Sequence, residues 1–92
     1  MKSKQITHEE ELFHNLFMEY YPSLLSFARY YVKDETIAED LVQDVFLKVW
    51  QKRTFLFLKE GIKTYLYRSV QHACLDYLKH HCKVTYTNLL TS

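Results

Sequence analysis

Three stretches of the chain repeat apolar residues at the spacing of an amphipathic α-helix. They cover residues 12–31, 38–50 and 62–77. In each, apolar residues recur three and four positions apart, which places them along one stripe of a helix. The alternation of apolar and polar residues that marks strands is scarce. The pattern therefore predicts a compact all-α bundle of three to four helices.

Residues that commonly cap helices mark the ends of these stretches. Thr7 followed by Glu10 predicts a capping box before the first helix, and Asp34 is placed to cap the second. Pro22 lies inside the first pattern, so we expect a kink or a break near residues 20–21. The second helix should run to about Gln51, and Gly61 should precede the last one.

These boundaries divide the chain into one domain with two short ends. Residues 1–7 are polar and unpatterned, so we expect a disordered N-terminus, followed by a helical domain over residues 8–83. Residues 84–92 lose the periodicity and are expected to form a tail or the start of a linker.

The segment 52–60 is the least regular part of the domain. Its apolar run at 55–58 has no second strand to pair with, so a loop with an irregular helical turn is expected. Phe55 and Phe57 are equal candidates for covering the core or remaining exposed.

Composition limits the classes of protein further. Of 92 residues, 48% are apolar, and there is one glycine and one proline. The apolar residues are enough to form a core, and the scarcity of glycine and proline leaves few positions for turns. No apolar run approaches the roughly 18 residues that span a membrane, and the polar N-terminus is unlike a signal peptide, so a cytoplasmic protein is expected.

Catalytic and metal chemistry is not predicted. Cys74 and Cys82 would lie roughly 12 Å apart on one helix, too far for a disulfide. His80 and His81 diverge by about 100° around that helix, and no second cluster completes a zinc site. No nucleophile or phosphate-binding loop accompanies the acidic residues near His14, so we expect no enzyme and no cofactor.

Charge is distributed unevenly although the net charge is only +1. Residues 33–48 carry five acids against two lysines, whereas residues 61–83 carry four bases against one acid. An acidic middle and a basic end indicate two surfaces with different partners. The outward side of the last helix carries cations, amides and aromatics, the side chains that proteins use to bind single-stranded DNA. A helix face that is merely exposed to solvent can have a similar composition.

The order of residues resembles region 2 of the extracytoplasmic-function sigma factors of the sigma-seventy superfamily. The run AEDLVQDVFLKVW at 38–50 is similar to that family's second conserved region. FMEYYPSLLSFA at 17–28 is similar to its aromatic first helix, and KTYLYRSV at 63–70 with CLDYLK at 74–79 to its promoter-reading helix. The resemblance covers about residues 12–83, nearly the whole chain.

The resemblance implies a domain that binds core RNA polymerase and recognises and melts the −10 promoter element. The polymerase's largest subunit would offer a basic coiled coil to an acidic face formed by Asp40, Gln43, Asp44 and Leu47. The non-template strand of the −10 element would meet Arg53, Lys59, Lys63, Tyr67, Arg68, Gln71, His72 and Lys79. An anti-sigma protein is a further partner that the resemblance allows.

Two departures from the family pattern change these expectations. Many members carry Arg-Asn where this chain has Gln71-His72, so one cation is missing unless the imidazole is protonated. Members also continue into a helix-turn-helix domain that reads the −35 element. Without that domain, we expect weak binding to promoter DNA.

Two other function classes stay open. A helical protein-interaction module would keep the acidic face and need no DNA binding. A helix-turn-helix protein would need a short recognition helix after a tight turn, and the helix after Gly61 is too long. A salt-dependent preference for single-stranded over duplex DNA would separate that class from a sigma-type domain.

Overall fold

The computed structural model describes the backbone of residues 6–91 and the side chains of residues 6–80. It contains the helices α1 (His8–Val32), α2 (Glu35–Lys52), α3 (Thr54–Leu58) and α4 (Ile62–Thr91), with a 3₁₀ turn at Lys59–Gly61 between the last two. The described backbone contains no strand. The all-α prediction of three to four helices is confirmed.

The predicted caps are present at both helix starts. Glu10 N donates to Thr7 Oγ1 and Thr7 N donates to Glu10 Oε1, each at 3.1 Å, which completes the capping box. Ile37 N donates to Asp34 Oδ1 at 3.0 Å at the start of α2. Each cap satisfies an amide that the helix itself leaves unpaired, so these short sequence signals fix where α1 and α2 begin.

Pro22 does not break the first helix. Its 25 residues form one continuous helix, and the Pro22 side chain is exposed. Leu16 and Leu24, on either side of it, are both buried in the core. Packing of both halves against the other helices offsets the backbone hydrogen bond that proline removes.

The core lies where α1, α2 and α4 meet. Its fully buried side chains include Leu24, Val42, Val49, Leu66, Val70 and Cys74. Burying a leucine or valine of this kind contributes about 1.5–3 kcal/mol. In α4 the buried positions fall every fourth residue, from Ile62 to Cys74, so the stripe drifts around the helix. Cys74 is therefore completely buried, while Ala73 and Tyr77 are half-buried.

An aromatic cluster closes one end of the bundle. The ring centroid of Phe13 lies 5.1 Å from that of Trp50 and 5.6 Å from that of Phe55. The Trp50 and Phe55 rings are stacked, 8° from parallel with centroids 6.1 Å apart. Such pairs add about 0.5–1.5 kcal/mol each beyond area burial, so the segment after α2 is anchored at Phe55.

The structure describes the two ends of the chain to different extents. Helix α4 continues to Thr91, through the stretch expected to be a tail. Residues 1–5, most of the expected disordered N-terminus, lie outside the described residues.

Candidate functional site

The acidic side of α2 is exposed along its length. Asp40, Gln43, Asp44 and Leu47 follow the helical spacing of three and four, and all four are exposed, while the opposite side of α2 is in the core. Leu47 is 51% exposed, so it adds apolar surface to an otherwise polar face. The structure therefore brings the four predicted polymerase-binding residues together on one face.

The polar groups on this face are only lightly held. Lys48 Nζ lies 3.3 Å from Asp44 Oδ2, and both side chains are more than half exposed. Gln43 Nε2 donates to Tyr21 Oη at 3.4 Å. Asp40 forms no ion pair with any described residue. Exposed pairs contribute at most about 1 kcal/mol, so a charged partner can displace them at small cost.

The predicted DNA-binding residues of α4 divide into two rows. Lys63, Tyr67 and Gln71 repeat every fourth residue; Lys63 is exposed, and the other two contact α1. Tyr67 packs edge-on against Phe27 with ring centroids 5.1 Å apart, and Gln71 Nε2 donates to Tyr31 Oη at 2.8 Å. This row is therefore partly engaged inside the bundle.

The second row of α4 faces solvent. Arg68, His72 and Lys79 are all exposed, and within the part of the chain that the structure describes none of them forms an ion pair. The row lies roughly 120° around the helix from the first. Arg68 and Lys79 are therefore cations available to a phosphate backbone, with the His72 imidazole on the same side of the helix.

The remaining two predicted DNA-binding residues bracket α3. Lys59 is exposed at its end, whereas Arg53, at its start, has its Nε 3.0 Å from Glu9 Oε1 and its guanidinium 3.9 Å from the Trp50 ring centroid. Arg53 is thus already occupied by other side chains.

The structure also decides between the two phenylalanines of the segment. Phe55 is buried, whereas Phe57 is 77% exposed. Sequence reasoning could not choose between them, because the choice depends on how the short α3 sits on the aromatic cluster. Phe57 joins Lys59 as a group that this segment presents to solvent.

A groove between α2 and α4 connects the two predicted surfaces. It encloses about 340 Å³, and Asp44 and Lys48 line one wall while Tyr65, Ser69 and His72 line the other, with Asp76 nearby. It continues along α4 to His80, whose Nδ1 lies 3.6 Å from Asp76 Oδ1. Sequence reasoning missed Lys48, Tyr65, Ser69 and Asp76, because their shared groove exists only once the helices pack.

The described residues offer little for redox or metal chemistry. No three described His, Cys, Asp or Glu side chains form a metal-binding group. His81 and Cys82 lie outside the described side chains. Burial raises the pKa of the Cys74 thiol above its ordinary value, so the group stays protonated and unreactive. No helix among the described residues is both long and apolar enough to cross a membrane.

Comparison with known proteins identifies the family to which the chain is similar. The family model for sigma-70 region 2 matches residues 16–83. The chain is 31% identical over 70 residues to the ECF RNA polymerase sigma factor SigX of Bacillus subtilis (strain 168). That match covers 76% of this chain and 36% of the relative, so the chain spans about a third of the relative's length. No solved structure matches the chain significantly.

Proposed function

Because the chain belongs to the sigma-70 region 2 family, we propose that it docks on core RNA polymerase and contacts the −10 promoter element. The family predicted from the residue order is confirmed, and with it a sigma factor domain. Polymerase docking, DNA contact and a place in the cytoplasm are the proposal. Docking and DNA contact rest on two exposed surfaces of opposite charge in the matched segment, and the cytoplasmic location follows from the proposed partners.

The exposed face of α2 carries the docking proposal. Asp40, Gln43 and Asp44 supply acceptors and negative charge, and Leu47 supplies apolar surface at the same face. A basic helix or coiled coil of the polymerase fits this combination. Charge complementarity speeds the encounter and sets the register, while burial of a leucine contributes affinity.

The exposed row of α4 and the α3 segment carry the DNA proposal. Arg68, His72 and Lys79 would contact phosphates, and Phe57 beside Lys59 would stack on an unpaired base. Lys63 and Gln71 would extend this contact along α4. The strand must be single, because a base inside a duplex exposes no face for stacking.

A protein-binding module that does not contact DNA is the second candidate. It is favoured by the contacts that three of the eight predicted DNA-binding residues make with α1. Arg53 meets Glu9, while Tyr67 and Gln71 meet aromatic residues of that helix. Binding of an anti-sigma protein over α2 would be compatible with either candidate function.

Retention of core RNA polymerase by the immobilised 92-residue chain tests the docking face. We expect wild type to retain polymerase and Asp40→Lys/Asp44→Lys to lose at least about tenfold in affinity, since reversing two interface charges costs several kcal/mol. The matched control is Glu11→Lys/Glu19→Lys, which changes net charge equally on α1. Equal retention by both double variants, with circular dichroism showing both folded, would contradict the proposal.

Binding of fluorescent oligonucleotides tests the DNA surface and separates the two candidates. A single strand should bind more tightly than the corresponding duplex, with affinity falling steeply as salt rises. Retention of polymerase with no single-strand binding at low salt would favour the protein-binding module.

A further inference from the structure

The α3 segment is flanked by two cations whose backbone φ angles are positive, Arg53 before it and Lys59 after it. The φ angles are 54° at Arg53 and 29° at Lys59, and neither residue is glycine. Side chains disfavour this region because Cβ crowds the neighbouring carbonyl. Such a conformation persists where surrounding contacts hold it, and it is common at functional sites.

At Arg53, the side chain itself supplies such contacts. Its guanidinium lies over the Trp50 ring at 3.9 Å and donates to the Trp50 carbonyl oxygen, while its Nε donates to Glu9 Oε1 at 3.0 Å. A planar guanidinium can stack and donate in its own plane at once, which a lysine cannot do. One side chain therefore joins the first turn of α1, the last turn of α2 and the start of α3.

We propose that Glu9, Trp50 and Arg53 form a clasp that orients the α3 segment for single-stranded DNA, and that Arg53 positions this segment instead of contacting DNA. Trp50 also stacks on Phe55, so the clasp is continuous with the anchor of α3. Phe57 and Lys59 are then presented outward from that anchor. The inference rests on the proposed DNA contact.

Neutralising Glu9 distinguishes a positioning role from direct contact by the sign of the effect. If Arg53 bound a phosphate, Glu9→Gln would free its guanidinium and remove a negative charge, and DNA binding would strengthen. With the clasp, Glu9→Gln releases the α3 segment, and DNA binding weakens. Glu11→Gln is the matched control, because it removes an exposed carboxylate from the same turn of α1 and leaves the clasp intact.

Fluorescence anisotropy with a single-stranded oligonucleotide provides the measurement. We expect Glu9→Gln to weaken binding about two- to fivefold, the range that an exposed ion pair can transmit, and Glu11→Gln to leave it unchanged or slightly stronger. Stronger binding by Glu9→Gln would overturn the clasp. A wild-type chain that binds no single strand would overturn the proposed DNA contact and the clasp's role in it.

A second variant keeps the backbone and removes the side chain. Arg53→Gly accepts the left-handed conformation freely, so the chain should still fold. With the clasp, affinity falls while the slope of log affinity against log salt stays unchanged. A slope reduced by about 0.7, the value for one lost phosphate contact to a single strand, would overturn the positioning role.

Hydrogen exchange tests the clasp without DNA, so that its failure is distinguishable from failure of the proposed function. In Glu9→Gln, amides of residues 54–61 should exchange faster than in Glu11→Gln, with core amides of α4 unchanged. Equal exchange of this segment in the two variants would overturn the clasp whether or not the wild type binds DNA.

Discussion

Cys74 shows how a single buried group responds to its surroundings. Its side chain is completely buried and its thiol is directed at the Ala28 carbonyl oxygen, with 4.0 Å between Sγ and oxygen. Burial raises the pKa of the thiol because the thiolate would lose its hydration. The native state therefore holds this proton more tightly than the unfolded chain does.

The Cys74 thiol should make stability depend on alkaline pH. Its contribution is fully present below the unfolded thiol's pKa of about 8.5 and is lost as pH rises through the higher folded pKa. Urea unfolding between about pH 8 and about pH 10 should show the wild type losing stability relative to Cys74→Ala. Cys82 is present in both proteins, so a difference between their pH curves reports on Cys74. Parallel curves of stability against pH would contradict the prediction.

The elements of the bundle differ in how much of their conformation is local. Helix α1 is continuous across Pro22 because tertiary packing outweighs a local penalty. Segment α3 has five residues, too few to be stable as an isolated helix, and it depends on Phe55 and the aromatic cluster. Substitutions in these two elements should therefore have different effects.

Replacing Pro22 should stabilise the protein. Pro22→Ala restores a backbone amide to the interior of α1, and the gain should be about 2 kcal/mol after allowing for a more flexible unfolded chain. Thermal and urea unfolding would measure it. The control Ser23→Ala, at the next exposed position, should gain only about 0.5 kcal/mol. A destabilised Pro22→Ala would mean that the ring or its fixed backbone angle is needed.

The two phenylalanines of α3 should separate stability from binding. Phe55→Ala should cost about 3–5 kcal/mol of stability, as for other buried aromatics. Phe57→Ala should change stability by less than about 0.5 kcal/mol but weaken single-strand binding by about 1–3 kcal/mol if a base stacks there. Unchanged DNA affinity in Phe57→Ala would remove this residue from the interface.

At the scale of the whole molecule, two surfaces of opposite charge meet at one groove. The acidic face of α2 and the exposed row of α4 point to different partners, yet Asp44 and His72 line the same groove. A carboxylate at this place repels a phosphate backbone that approaches α4. The two proposed binding activities should therefore be separable by mutation and electrostatically linked through Asp44.

Paired charge reversals test this separation. The variant Arg68→Glu/Lys79→Glu should lose single-strand binding, and its binding to core RNA polymerase should be unchanged. Asp40→Lys/Asp44→Lys should lose polymerase and bind the single strand more tightly, because the groove beside His72 becomes positive. Retention assays and anisotropy on the same preparations would check both. Loss of both activities in either folded variant would show that the surfaces are not independent.

The sequence by itself determined the helices, their caps, the family and the acidic face of α2. These features depend on spacing and order within a few turns of helix, as the capping box of Thr7 and the exposed position of Leu47 show. The same local rules allowed a break near Pro22 that the continuous helix α1 does not show, because packing of both halves of α1 against the other helices outweighs the local penalty of proline.

Tertiary structure alone decided the remainder. It buried Phe55 and exposed Phe57, and it engaged Arg53 with Glu9, 44 residues away in the chain. It also joined Asp44 and His72 in one groove. Each of these outcomes depends on contacts between residues distant in sequence, whose relative positions are fixed only when the three long helices pack around the shared core.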